Sequence, residues 1–396
     1  MTFTIFIHWI VLISLVYLGI TSLIFIRNRF EFTAIADEKN SKGRDRDQIP
    51  KISVCIPARN EEYNIGNLLK SLSIQEYKFY EVLVLDDQSE DQTAKVVKEY
   101  TQRDPEIFKL FHGKEKPMDW LGKPWACQQL AGHATGEILL FLDADTVMEN
   151  HTLSAVSSAF ENHRIQMLTV WPQQKLITFW EKVIIPLVYY ALLTMLPSIY
   201  VYRKPRWMPL LFYRFFKTAF AASNGQCIAI LRDPYFEIKG HESVKNRIVE
   251  DVELAKAVKM HNYKLRMFHG VDSLYCRMYK SEQEIYEGFR KNFLTGFNDS
   301  VLLFTAFAVL HLIVFISPFI GLIYALFTGN PMILFLSSAS IALMLMHRLI
   351  LSVWFKWDPI YSFTHPVGVL WFQRLGMQCL FDRFSGKKRS WKGRSV

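Results

Sequence analysis

Three stretches with almost no formal charge constrain what this chain can become. Residues 4–26 and 301–327 contain no Asp, Glu, Lys or Arg, and residues 331–355 contain only Arg348. Each exceeds the roughly 20 residues an α-helix needs to cross the hydrocarbon core of a bilayer. They predict three membrane-spanning helices, with Arg348 close enough to one end of the third to snorkel to the interface. The first stretch is too long for a removable signal segment and lacks a small-residue cleavage site, so it reads as a retained anchor. A hydrophobic content of 51% with 31 phenylalanines suits a chain that is partly solvated by lipid.

The placement of Lys and Arg sets the expected orientation. Arg27 and Arg29 follow the first span directly. Arg383, Lys387, Lys388, Arg389, Lys392 and Arg394 crowd the tail, whereas residues 328–330 between the second and third spans are uncharged. Three crossings then put the N-terminus outside and the centre and tail in the cytoplasm, as in a multi-pass cell-membrane protein. The net charge of +9 favours an anionic inner leaflet. It does not point to nucleic acid, because the basic residues are juxtamembrane rather than grouped on a soluble face. Five cysteines are scattered without a C-x-x-C or a histidine at zinc spacing, which predicts reduced, buried thiols.

Between the apolar ends the chain changes character. Residues 31–50 are polar and mixed in charge, as in a linker. KISVCIP (51–57), EVLVLDD (81–87) and residues 137–142 read as buried strands, while residues 60–72, 91–100 and 126–133 carry helical spacing. Strands alternating with helices predict an α/β fold over 51–299, with a mostly parallel sheet flanked by helices. Residues 183–202 are again uncharged but contain Pro186 and Pro197, and the aromatic, basic WMPLLFYRFFKTAF (207–220) follows. A single crossing there would split the sheet region across the membrane. Interfacial helices near 179–222 are therefore expected, with a hairpin crossing twice as the alternative. Residues 300–396 would hold two spans, an interfacial helix at 367–381 around Arg374, and the basic tail.

In such sheets ligands sit at the carboxyl ends of the strands. Pro57, Asp86, Asp87, Asp143 and Asp145 all fall at such ends. In FLDADTVMEN (141–150) an apolar run stops against two carboxylates one residue apart. Like charges that close repel unless neutralised, and Mg²⁺ or Mn²⁺ would bridge them to phosphates. A third acidic station, VED, lies at 249–251.

PARNEE (57–62) followed by these three stations resembles the family 2 glycosyltransferases of GT-A fold, over about residues 52–298. DWLGKPWACQQLAG (119–132), NGQ (224–226) and SWKGR (390–394) are similar to membrane-bound glycosyltransferases associated with carotenoid and hopanoid lipids. The resemblance implies a UDP-sugar donor, a divalent metal held directly by Asp145, and Asp143 at the ribose or a metal-bound water. It places Asp86 and Asp87 at the uracil and ribose, with Pro57, Ala58 and Glu61 lining the base pocket. Arg59 and Lys123 would meet phosphate. Asp251 would be the general base, with Glu250 as its alternate, since the attacking hydroxyl must lose a proton.

Blander roles stay open for several of these residues. Asp86, Asp87, Glu61, Glu250 and Asp251 also suit helix N-termini, and Lys123 suits open solvent. His261 and His269 read as structural. The Q-x-x-R-W motif of processive synthases is missing from IYEGFRKNF (285–293), where Arg290 could still meet the diphosphate or act as an interfacial cation. One base without a second, nucleophilic carboxylate implies a single inverting displacement. Non-processive transfer to a lipid or isoprenoid-derived acceptor is expected. The alternatives are a short-chain polysaccharide synthase and a catalytically silent subunit of a lipid-modifying complex.

Overall fold

The computed structural model describes residues 2–38, 49–291, 293–297 and 299–385, with the backbone of 390–391 and 394–395. Lys387, Lys388, Arg389, Lys392, the side chain of Arg394 and residues 39–48 of the expected linker lie outside the described residues. The chain divides into two compact units. A sheet unit comprises Glu31–Lys175 and Ser198–Met278, and a helical unit comprises Met1–Phe30, Leu176–Pro197 and Tyr279–Val396.

The sheet unit contains β1 (Ile52–Ala58), β2 (Tyr80–Asp86), β3 (Phe108–His112), β4 (Ile138–Leu142), β5 (Thr146–Met148), β6 (Met167–Trp171), β7 (Gln173–Gln174), β8 (Cys227–Leu231), β9 (Leu265–His269) and β10 (Leu274–Cys276). The main sheet runs β3-β2-β1-β4-β8-β6-β9, and β5-β10-β7 form a small second sheet. All neighbours in the main sheet are parallel except β8, which runs antiparallel to β4 and β6. Strands β2 and β4 are buried along their whole length. Such strands carry continuous apolar runs because helices cover both faces. Ile65, Leu68, Leu69 and Leu72 form the buried stripe of the helix Ile65–Ser73.

Register builds one functional edge. Ala58 lies opposite Asp86, which aligns the carboxyl ends of β1 and β2. Because β8 is reversed, Cys227 pairs with Leu142, and residues 224–226 arrive where β4 ends. In the small sheet Thr146 pairs with Cys276, which carries the end of β10 beside the D-x-D turn.

Two readings change here. The start of the expected linker is packed: Phe32 and Ile35 are fully buried, and Ala34 bridges to His269 at the end of β9. Its apolar residues seal that end of the sheet. The helix expected over 60–72 starts only at Ile65, because Asn60 takes a left-handed turn with φ of 53°.

In the helical unit, and among the described residues, three helical segments are long and apolar enough to cross a membrane: Thr2–Glu31, Val301–Thr328 and Pro331–Trp354. The second breaks at Ile316 into Val301–Phe315 and Ser317–Thr328, with Pro318 opening the new turn. A Cβ on Gly321 would lie 2.8 Å from Val11 and 2.6 Å from the Ser337 hydroxyl, so only glycine lets these helices pack. The helix Phe179–Met195 has most of its length buried in this unit rather than exposed on one face. By contrast, Leu210–Phe216, in the sheet unit, has no buried residue and exposes Leu210, Leu211, Phe212, Phe215 and Phe216. Arg348 does not snorkel. It is 1% exposed and turned into the unit, toward the carbonyl of Tyr361.

Candidate active site

The acidic stations of the sheet unit meet at the edge just described. At the end of β2, Asp86 and Asp87 are both buried. The Asp87 amide donates to Ala58 O at 2.8 Å, and Arg59 Nη1 donates to Asp87 O at 2.9 Å. Asp86 Oδ1 accepts the Ser89 amide at 3.2 Å, and Ser89 Oγ in turn accepts the Asn60 amide at 3.0 Å. Pro57, Ala58, Arg59 and the two aspartates thus form a continuous rim. Glu61 stands at its end, where Oε2 accepts Asn64 Nδ2 at 2.8 Å. That bond runs to a side chain rather than to a backbone N–H of the helix Ile65–Ser73.

Lys123 is the hub. It lies in the first turn of the helix Gly122–His133. Its Nζ sits 2.7 Å from Asp143 Oδ1 and 3.3 Å from Glu250 Oε1, and donates to Gly225 O at 3.2 Å. Burial alone would pull the ammonium's pKa down, but the two carboxylates outweigh it and hold Lys123 well above the ordinary lysine value. The solvated-lysine alternative does not describe this geometry.

Asp251 is the second residue of the helix Glu250–Met260 and has both carboxylate oxygens engaged by backbone. Gly225 N donates to Oδ2 and Val252 N to Oδ1, each at 2.8 Å. Burial, then the neighbouring Glu250 charge, raise its pKa to about 7, although Lys123 and the two amides pull the other way. A Cβ on Gly225 would sit 3.1 Å from Lys123 Nζ and 3.4 Å from Asp251 Oδ2, so glycine permits this approach.

Asp145 is raised to about 7 as well, by burial first and then by the charges of Asp143 and Glu61. The Cys276 thiol donates to this carboxylate. The Cys276 sulfur accepts Gln226 Nε2, and Gln226 Oε1 accepts Gln174 Nε2 at 2.9 Å. A four-residue hydrogen-bonded chain therefore buttresses the second aspartate of the D-x-D. Cys276 gave no signal in the sequence, and the buttressing glutamines are separated from it by whole strands.

A divalent cation suits these donors. Asp145 Oδ1 is buried and has no hydrogen-bond partner, which is a costly state for an ionised oxygen. Among the described residues no three His, Cys, Asp or Glu side chains group to hold a metal by themselves. One or two carboxylates completed by phosphate oxygens and water is the usual arrangement for Mg²⁺ at nucleotide sites. Arg290 belongs to the helical unit, where Asp382 engages its guanidinium at 2.5 Å. His261 Nδ1 contacts Ala257 O at 2.9 Å within its own helix turn.

Comparison with known proteins bears on the fold and the class. Residues 53–224 match the family model for glycosyl transferase family 2. The 4,4'-diaponeurosporenoate glycosyltransferase of Staphylococcus haemolyticus is 26% identical over 291 residues, 72% of each chain. The protein of that name from Staphylococcus aureus (strain USA300) is 25% identical over 357 residues, 87% of each chain. Among solved structures, the mannosyltransferase PcManGT from Pyrobaculum calidifontis, in complex with GDP-Man and Mn²⁺, superposes with a TM-score of 0.53 at 18% identity. That match covers 92% of this chain and 99% of the other. The sheet unit is a GT-A fold. Over residues 53–224 the chain is similar to glycosyl transferase family 2, so a glycosyltransferase is the class this fold points to.

Proposed function

We propose that the protein transfers a sugar, with inversion, from a nucleoside diphosphate sugar to an amphipathic, isoprenoid-derived acceptor at the cytoplasmic face of the membrane. The observation that carries this reading is the meeting of Asp143 and Glu250–Asp251 around Lys123 and Gly225, on the sheet edge where Asp86 ends β2 and Asp87 follows. The curated relatives, named as glycosyltransferases of 4,4'-diaponeurosporenoate, support a carotenoid-derived acceptor. Membrane-spanning helices also suit an acceptor dissolved in the bilayer.

In this mechanism the rim from Pro57 to Glu61, with Asp86 and Asp87, receives the nucleoside. Lys123 balances diphosphate charge that develops as the bond to the anomeric carbon breaks. A divalent ion bound by Asp145 and Asp143 would supply further charge neutralisation to the leaving diphosphate. Asp251, with a pKa near neutrality, accepts the proton of the acceptor O–H as its oxygen attacks the face opposite the leaving group. The products are an inverted glycoside and a nucleoside diphosphate, with the proton left on Asp251. UDP-sugars are the expected donors, and GDP-sugars belong in the panel because the mannosyltransferase of like fold was solved with GDP-Man.

The test uses purified full-length protein, a UDP- and GDP-sugar panel, Mn²⁺ or Mg²⁺, and mass spectrometry of glycosylated lipids. Asp145→Ala should abolish transfer and weaken nucleotide binding only when metal is present. Undiminished turnover in excess chelator would sink the metal-assisted reading.

A further inference from the structure

Among the described residues, the helical unit buries a positive group that no acid answers. Arg348 lies in the span Pro331–Trp354 and is 1% exposed. Its Nη2 donates to Tyr361 O at 3.3 Å, while Nε and Nη1 are buried without any partner. His365 is also 1% exposed, and neither of its ring nitrogens has a partner. Its ring packs 4.8 Å from Tyr190 and 4.7 Å from Phe315. His347 completes the cluster, bonded to Ser22 Oγ at 2.8 Å and Tyr190 Oη at 3.3 Å.

The surrounding helices bring no acid to this place. Residues 301–354 contain no Asp or Glu, and the first helix has none before Glu31. Glu181, the acid of the helix Phe179–Met195, is used at that helix's own N-terminus by the amides of Ile177 and Thr178. Asp358 caps the Ile360 amide at 3.1 Å from an exposed position. A guanidinium out of water without a counter-charge is strongly unfavourable, and buried donors without acceptors are rare in native proteins. The imbalance is one-sided: every unsatisfied group here is a donor or can become one, and the missing partner is an anion.

We infer that Arg348 and His365 form a binding site for the oxyanion of an amphiphile, a carboxylate or phosphate carried on a long apolar chain. Guanidinium groups favour these oxyanions because several N–H bonds are made to one charged group. The apolar chain follows from the surroundings. Tyr190 and Phe315 pack on the His365 ring, and Leu334, Phe335, Met346, Ile350 and Val353 on the outer face of the same span are exposed, so this unit suits acyl or isoprenoid tails rather than water. The site lies entirely within the helical unit and does not rest on the donor-site reading.

The experiment measures binding alone, on the full chain in a neutral detergent, by native mass spectrometry and thermal unfolding. The probes are oleate against oleyl alcohol, and dioleoyl phosphatidylglycerol against dioleoylglycerol. At least one anionic probe should bind and raise the unfolding temperature while its neutral counterpart does not. Binding by oleate alone identifies a carboxylate ligand, and binding by the phospholipid identifies a bilayer source. Arg348→Gln should weaken the anionic probe about tenfold or more, and Arg348→Lys should recover part of that loss. Equal binding of acid and alcohol by the parent protein overturns the inference, even should Arg348→Gln fail to fold. Unchanged affinity in a folded Arg348→Gln protein overturns it too.

Discussion

Replacing Asp251 by Asn separates chemistry from architecture, and the structure sets the size of each effect. Both carboxylate oxygens accept backbone N–H groups at 2.8 Å, from Gly225 and Val252. An amide has one oxygen, so Asn keeps one bond and turns its NH₂ against the other donor, at a cost of about 1–3 kcal/mol. The lost charge acts in the other direction. Burial first, and Glu250 second, raise the Asp251 pKa to about 7, with Lys123 and the two amides opposing. The unfolded value is near 3.9. Between those values the native state holds a proton that the unfolded chain has released, so the parent loses stability as pH rises through the window. The Asn variant has no such loss. Its unfolding temperature relative to the parent should therefore climb between pH 5 and pH 8.

Activity moves the other way. A missing base forfeits about 10² to 10⁴ in kcat. Donor affinity should stay within about threefold, because the lost interaction belongs to the transition state. The parent's rate should fall below a pKa near 7 as Asp251 protonates, and the variant should lack that limb. Product formation at saturating donor, donor affinity by calorimetry and unfolding in one detergent supply all the readouts. A kcat within threefold of the parent moves the base elsewhere, with Glu250 next to test. A relative unfolding temperature that drops with pH refutes the burial argument.

Three other expectations come from particular contacts. Cys276→Ala removes the thiol donor to Asp145 and should weaken Mn²⁺ binding about tenfold, while Cys276→Ser recovers most of it; equal Mn²⁺ titrations for all three proteins would remove the positioning role. Glu81, buried and bonded to Ser53, Thr135 and Lys109, has its pKa lowered to about 2 from 4.5 although burial opposes this. That difference of about 2.5 units corresponds to about 3 kcal/mol of stability, present at neutral pH and lost as pH falls from about 5 toward 2; Glu81→Gln should flatten the acid limb of the unfolding curve, and an unchanged limb contradicts the assignment. Finally, maleimide labelling in intact cells should reach Thr328→Cys from outside and Ser385→Cys only after the membrane is opened, whereas the reverse pattern would invert the proposed topology.

What the sequence disclosed follows from the range of each signal. Burial on both faces of β1, β2 and β4 leaves continuous apolar runs, so these strands were legible. The carboxylates at their ends, Asp86, Asp87 and Asp143, were legible as candidates for the same reason. Their mutual arrangement was not. Lys123 meets Asp143 and Glu250 only because β8 runs backwards and delivers Gly225 to the edge where β4 stops, and no local pattern encodes strand direction. Cys276 reaches Asp145 through a three-residue strand pair whose register is set entirely by tertiary packing.

Arg348 is the opposite case, a signal that was present and misread. Ser337, Ser340, Met344, His347, Arg348, Leu351, Ser352 and Trp354 are the buried positions along the later part of its helix, and steps of three and four residues from Ser337 through Ser340, Met344 and Arg348 to Ser352 keep them on one side. A lipid-facing stripe would be apolar throughout, whereas this one alternates hydroxyls, an imidazole and a guanidinium with aliphatic groups. Polar residues in phase on one face of a spanning helix turn toward protein, not toward lipid or the interface. Distance from the helix end suggested snorkelling; helical phase placed the guanidinium inside. Phase decides, because rotating a cation onto the buried face displaces it from lipid and water alike, and the unsatisfied donors that result are what call for an anion there.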